Sequence, residues 1–186
     1  MSDGPARLPL VPAPTDDERL TELFTSAAAQ QGRVSNLYRT LANSPDMLAA
    51  WTGMAWPLRH TPSVERRLRE LGIMRVAQRS RAVYEWAHHW HLAEQAGVPA
   101  SQLRALREWR DSDLFDERER AILAYADAIV DVEVPDAVFE PLRRWFDDGQ
   151  LVELTLTLSF YCHVSRALVA LRIELEPGFD AHLESL

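Results

Sequence analysis

The sequence predicts an all-α fold, on three observations. Apolar residues recur every three or four positions over most of the chain, the period of a helix with one buried face. Thr15 with Glu18, and Asp116 with Glu119, have the spacing at which a cap side chain and a glutamate satisfy each other's backbone N–H. No stretch alternates apolar and polar residues between turn residues as a hairpin would, and no internal repeat or low-complexity block is present.

Residues 1–14 carry four prolines among small residues and read as an extended, flexible arm. A first helix starts at the Thr15 cap, places Leu20, Leu23, Phe24 and Ala27 at helical spacing and stops near Gly32. Val34, Leu37, Tyr38 and Leu41 make a short second helix, ended by Asn43, Ser44 and Pro45. Met47, Leu48, Trp51, Met54 and Ala55 make a third, which Pro57 should end or kink, because its ring removes a donor and crowds the preceding turn. After Pro62 and Ser63, Val64, Leu68, Leu71 and Met74 repeat at helical spacing, and Gly72 permits a close neighbour. The join at 79–81 holds neither Gly nor Pro, so one long helix and two shorter ones are both open across residues 70–96. Gly97, Val98 and Pro99 supply a stop.

Residues 101–109 form a short helix, and the Asp116 cap starts another through Ala121, Ile122, Tyr125, Ala126 and Ile129. After a connection at 131–135, Pro135 opens a helix through Val138, Phe139, Leu142 and Phe146, which Asp147, Asp148 and Gly149 close. Residues 151–175 are apolar almost all round. Their β-branched members suit a strand, but the length favours a buried helix.

Composition narrows the function. A chain of 186 residues, 47% hydrophobic, can bury the core of one domain. A formal charge of -8 argues against a nucleic-acid partner, which would want clustered Lys and Arg. The single cysteine, Cys162, excludes an internal disulfide framework and a Cys-rich zinc site, and suits a reducing compartment. The N-terminus lacks a charged region followed by an apolar one, and the apolar runs look too short or interrupted to span a bilayer. A cytoplasmic location without a membrane partner is expected.

Residues 70–96 gather the chemistry. In a helix, Glu85 and His89 stand four apart on one face, and His88 and His91 three apart on a neighbouring one. A carboxylate beside an imidazole handles protons, because it raises the imidazole pKa and fixes its tautomer. A surface ion pair has the same spacing, and that alternative stays open. A zinc site needs three or four donors at fixed geometry, and no HExxH helix is present, so neither metal nor cofactor is expected. Trp86 and Trp90 suit the core or a subunit contact. Arg75 and Arg79, one turn apart, could bind a carboxylate or pair with acidic side chains. Cys162 reads as an inert buried thiol and His163 as a satisfied core histidine.

The run from Glu70 through Arg75, Val76 and Ala77 to Tyr84, Glu85, Trp86 and His89 resembles the carboxymuconolactone decarboxylase family, which includes the alkylhydroperoxidase D (AhpD) proteins. FDERERAILAYADAIV at 115–130 and LVELTLTLSFYCHVSRALVALRIELEP at 151–177 support the likeness. The resemblance implies an AhpD-like helical bundle that assembles as a homo-oligomer, trimer or hexamer, with sites near subunit contacts. It divides the chain into the arm at 1–14, N-terminal helices at 15–62 packing on the core, a family domain at 63–177 and a tail at 178–186.

In the peroxidase branch of that family a glutamate, a CxxC pair and a histidine relay protons to a reactive thiol. Carried over, the glutamate is Glu70 and the histidine His89, while Ala82 and Glu85 stand at the cysteine positions, which disfavours a thiol peroxidase. The segment from Tyr84 to His89 is similar to the decarboxylase-like branch. That implies a cofactor-free lyase acting on a small carboxylated lactone or related acid. Glu70, Glu85 and His89 would be catalytic, with His89 transferring the proton. Arg75, Arg79, Tyr84 and His88 would bind substrate, its carboxylate falling to Arg75 or Arg79. A non-catalytic helical oligomer of the same family, binding a small ligand or protein partner, is the alternative. The two differ in whether Glu70, Glu85 and His89 converge.

Overall fold

A computed structural model describes residues 4–186, without the side chains of Gln30 and Gln31; the first three positions of the expected arm lie outside the described residues. The helices are α1 (Glu18–Gln31), α2 (Asn36–Leu41), α3 (Pro45–His60), α4 (Arg66–Arg79), α5 (Val83–Gln95), α6 (Ala100–Ala105), α7 (Glu117–Asp131), α8 (Asp136–Phe139) and α9 (Asp148–Leu171). Short 3₁₀ turns follow at Leu106–Glu108, Glu140–Arg144 and Leu183–Ser185, and no strand occurs among the described residues. The fold is all-α.

The central element is α4, which packs against α5, α7 and α9. Every residue from Leu68 to Gln78 is buried, so α4 has no solvent face over that length. Leu68, Ile73 and Val76 contribute to a core shared with α1, α2, α3 and α9. Leu71, Met74 and Ala77 contribute to a second core with Trp86, Trp90, Leu103, Trp109 and Leu123. Arg69, Glu70 and Arg75 are therefore carried inside by the helix, where a charge persists only with partners. Gly72 marks the tightest crossing: a Cβ there would lie 2.7 Å from Leu158 Cδ2 and 3.2 Å from Ile122 Cγ2.

Several boundaries differ from the sequence expectation, each for a local reason. The cap of α1 is Asp17, whose carboxylate accepts from Leu20 N at 3.1 Å, and Thr15 instead accepts from Asp17 N at 3.3 Å. Asp147 does not close a helix but opens α9, in a reciprocal capping box with Gln150. The helix expected from Pro135 is one α turn followed by 3₁₀, because Pro141 brings no N–H to continue it. Asp116 and Glu119 form their box as the spacing predicts.

Two breaks bear on the site. Arg81 adopts φ 52°, and Ala82 N donates to Ala77 O at 2.9 Å, so the join at 80–82 ends α4 without a glycine and starts α5 at once. Pro57, by contrast, does not end α3. The helix continues to His60, and the Pro57 carbonyl accepts from the Thr61 backbone N–H and hydroxyl. That extra turn carries Arg59.

On α9 one side is buried, while Val152, Leu156, Val169 and His163 are exposed, which corrects the all-round burial expected and the core placement of His163. By length and composition α9 is apolar enough to cross a membrane, contrary to the expected shortness of the apolar runs; half of that window is buried within the fold. The arm from Arg7 and the tail are both tied down. Arg7 N donates to Leu171 O, and Val11 exchanges hydrogen bonds with Arg39. In the tail, Leu183 and Leu186 pack on the second core, and His182 stacks on Trp90 with ring centroids 4.3 Å apart.

Candidate active site

The tight join places the start of α5 back against α4, so that Glu70 of one helix meets Glu85 and His89 of the other. His89 Nδ1 lies 2.7 Å from Glu70 Oε2, and His89 Nε2 lies 2.9 Å from Glu85 Oε1. The imidazole is held between two carboxylates, and all three residues are only 4–6% exposed. This decides between the two readings of the Glu85 and His89 spacing: the pair is buried, not a solvated ion pair on a helix surface.

The charges set one another. Burial disfavours the His89 imidazolium, but the Tyr161 oxygen, Glu70 and Glu85 together raise it well above the usual histidine value. Burial likewise works against the Glu70 carboxylate, and His89 beside it, with Arg66 and Arg69, leaves its pKa lowered. A protonated ring uses both nitrogens as donors, which matches an acceptor on each side. Tyr161 of α9 meets His89 edge-on at 4.8 Å. Its hydroxyl lies 3.4 Å from Arg59 Nε, and Arg59 Nη1 donates to Tyr38 OH at 3.2 Å. Five helices thus contribute, α2 to α5 and α9. Sequence reasoning missed Arg59, Tyr38 and Tyr161: the two tyrosines read as core positions, and Arg59 lay beyond a proline expected to interrupt α3.

The four residues expected to bind substrate are elsewhere engaged. Arg75 donates to both Asp127 oxygens, at 2.6 and 3.1 Å, and to Gln78 Oε1 and Leu106 O. Arg79 lies 2.6 Å from Asp131 and 3.6 Å from Asp127. Burial raises the Asp127 pKa, but hydrogen bonds and charge from Arg75, joined by Arg110 and Trp109, bring it below the usual range. Arg75 and Arg79 thus stand in an ionic cluster with Asp127 and Asp131 that ties α4 to α7, the acidic pairing that their spacing also allowed.

Tyr84 and His88 form a third group. Tyr84 OH donates to Glu176 Oε1 at 2.7 Å, His88 Nε2 lies 2.7 Å from Glu176 Oε2, and Asn36 N donates to the same carboxylate at 2.5 Å. Against the burial that opposes it, these bonds pull the Glu176 pKa down to about 2, while burial first, then Glu176, raises Tyr84. His88 is stacked between Tyr84 and Phe179 at 4.3 and 4.2 Å. This cluster fastens the tail to α5 and α2, a role for Glu176 with no local signal in the sequence.

His91 Nε2 lies 2.8 Å from Gln95 Nε2, one turn further along α5. Cys162 is buried, and burial raises its thiol pKa, as an inert thiol requires. No group of three or more His, Cys, Asp or Glu among the described residues is placed to hold a metal ion. Two surface pockets, of about 400 and 310 Å³, are lined by residues of the arm and α1 and by residues of α8, α9 and the turns between them; neither reaches His89.

Known proteins share this architecture. The debrominase Bmp8, carrying C82A and bound to 2,3,4-tribromopyrrole, superposes with a TM-score of 0.81 at 22% identity over 99% of this chain and 98% of its own. A peroxidase-related protein from Silicibacter sp. TM1040 gives 0.80 at 21% identity over 97% of both chains. YdfG of Bacillus subtilis (strain 168) is 27% identical over 100 residues, 52% of this chain and 68% of that one. The model of the carboxymuconolactone decarboxylase family matches residues 45–128, which include Arg59, Glu70, Glu85 and His89 but neither Tyr38 nor Tyr161. Residues 45–128, which hold the buried glutamate and histidine pair, thus match the carboxymuconolactone decarboxylase family model, and the helical order is the fold of these solved structures.

Proposed function

We propose that the chain is a cofactor-free carboxy-lyase acting on a small carboxylated lactone or related acid. The observation that carries this reading is the buried Glu70, His89, Glu85 chain of short contacts. Both ring nitrogens are engaged, so a proton leaves His89 along one of those two bonds. Glu85 stands where the peroxidase pattern has a cysteine, and it delivers the proton to substrate in place of a thiol. The substrate C–C bond to the carboxylate breaks, carbon dioxide departs, and the electron pair spreads onto the neighbouring carbonyl as an enolate. Glu85 passes the His89 proton to carbon and is again a carboxylate, water returns a proton to the now neutral His89, and Glu70 holds the imidazolium so restored in place. Bmp8 with its bromopyrrole is an instance of this fold taking a small flat ring.

The reading includes a homo-oligomer, trimer or hexamer. Exposed Met47 and Met54 of α3 and Val152 and Leu156 of α9 are the apolar side chains it would cover. A scaffold that binds a ligand or protein without chemistry is the second reading, and the near-complete burial of the three site residues favours it.

Absorbance loss from carboxymuconolactone on incubation with the purified protein separates the two. Turnover that falls by a factor of about 100 or more in His89→Gln, with the helical circular dichroism retained, supports the lyase. Full activity in that variant removes His89 from the chemistry, and an inactive wild-type protein moves the balance to the scaffold.

A further inference from the structure

Arg59 lies beside the triad with no carboxylate in contact among the described residues and, unlike Arg69, with no backbone carbonyl among them to accept from it. Its partners are two phenol hydroxyls, Tyr161 at 3.4 Å and Tyr38 at 3.2 Å, both at or beyond the long end of the N–H···O range. Among the described residues it makes no ion pair, and Glu85 acts on it only through space. The buried arginines around it are spent: Arg69 donates to the Val64, Leu58 and Arg59 carbonyls, and Arg75 to Asp127.

Arg59, Arg69 and the imidazolium of His89 are three cations against three carboxylates, Glu70, Glu85 and Glu153, the last acting on Arg69 and held by the backbone of Ser63 and Val64. Arg66, half-exposed and 3.6 Å from Glu70, adds a fourth cation at the rim. The effect reaches His60 at the end of α3, whose pKa is lowered by partial burial and then by Arg59, Arg66 and Arg69. Arg59, with no carboxylate in contact, and Arg66 at the rim put an excess of positive charge here, in a chain of net charge -8. The concentration of cations is what an anionic ligand would complete. Access fits the same place, since Arg59 and Arg66 are the solvent-touching members of a cluster whose triad is closed.

We propose that Arg59, with the Tyr38 and Tyr161 hydroxyls, binds an anionic oxygen of a small planar acid and holds it beside Glu85. This rests on the reading of the triad as a proton relay and moves the anion site from Arg75 and Arg79 to α3. The anion is a carboxylate in the ground state or the enolate oxygen that forms on its loss. A planar guanidinium flanked by hydroxyl donors suits either.

The test is isothermal titration of the full chain with benzoate and with benzamide, its uncharged counterpart, on wild type, Arg59→Gln and Arg59→Lys. Wild type should prefer benzoate. Arg59→Gln should weaken benzoate about 10- to 100-fold and leave benzamide unchanged, and Arg59→Lys should keep part of the preference. Equal affinity of wild type for the two probes, or no benzoate binding at millimolar concentration, overturns the proposal without need of a variant. So does benzoate binding that survives in a folded Arg59→Gln. In the lyase assay, a raised KM in Arg59→Gln assigns the site to the substrate carboxylate, and a lowered kcat assigns it to the enolate. Turnover that ignores Arg59 removes this inference and leaves the relay standing. Arg59-dependent benzoate binding in a protein that turns nothing over keeps the anion site and removes the relay.

Discussion

Adjacent on α5, His88 and His89 each hold a glutamate oxygen at 2.7 Å, yet their surroundings give the two contacts different meanings. His88 is one of three donors on Glu176 and lies between two rings, with its side chain 20% exposed. Its glutamate comes from the C-terminal segment, so the contact is a fastening between α5, α2 and the tail. His89 is the sole ring between two carboxylates, against a tyrosine edge and near an arginine without an acid partner. A His and Glu pair is therefore structural where the carboxylate is saturated by other donors. It can do chemistry where the ring carries a proton that two acceptors share.

Removing each ring tests this most strongly. His89→Ala leaves two buried carboxylates without their shared counter-charge, and should cost about 3–5 kcal/mol in urea denaturation. His88→Ala leaves Glu176 with its bonds from Tyr84 and Asn36, so about 1–2 kcal/mol is expected. Equal losses would dissolve the distinction.

Acid and alkali should separate the pairs next. His89 has a folded pKa raised well above 6.5, so its contribution is complete below about 6.5 and is lost as pH rises through the folded value. Glu176 is depressed from 4.5 to about 2, so its contribution is complete above about 4.5 and fades as pH falls toward 2. Glu70, also lowered, adds to the acid limb. Allowing for solvent screening at a residue near the tail, Glu176→Gln should remove about 1–2 kcal/mol of acid-sensitive stability and leave the alkaline limb unchanged. Thermal melts across pH read both limbs, and an acid limb unaltered by Glu176→Gln would falsify its assignment.

The fold class was legible because period and caps are local properties: Asp116 with Glu119, Gly32 and Gly97 all act as their types require. Glu70, Glu85 and His89 were also legible, since two of them share a helix face and the motif names the third. What stayed hidden depends on distance or on backbone choices that residue type does not force. Arg81 takes the left-handed conformation with a side chain usually disfavoured there, so the break between α4 and α5 had no glycine to announce it. Pro57 sits in the last turn of α3, where the missing N–H ends little, and Arg59 was hidden behind it. Tyr38, Tyr161 and Glu176 come to their partners from far along the chain, and no periodicity within one helix carries that information.

The smallest effect asks whether the two regions are independent. Trp86 donates its indole N–H to His182 O at 3.0 Å and is fully buried on the face of α5 that carries Trp90. Trp86→Phe keeps most of the ring volume and removes that one bond, so a loss of about 0.5–1.5 kcal/mol is expected. Hydrogen exchange should show faster amides over residues 182–186, where the 3₁₀ turn and the terminal contacts depend on His182 staying docked. The Glu70 and His89 contact is made on other atoms of α4 and α5 and should not respond, so the proposed turnover, where it is found, should stay at the wild-type level. Changed turnover with a loosened tail would mean that the fastening side of α5 sets the geometry of the relay, and that the neighbouring histidines belong to one device.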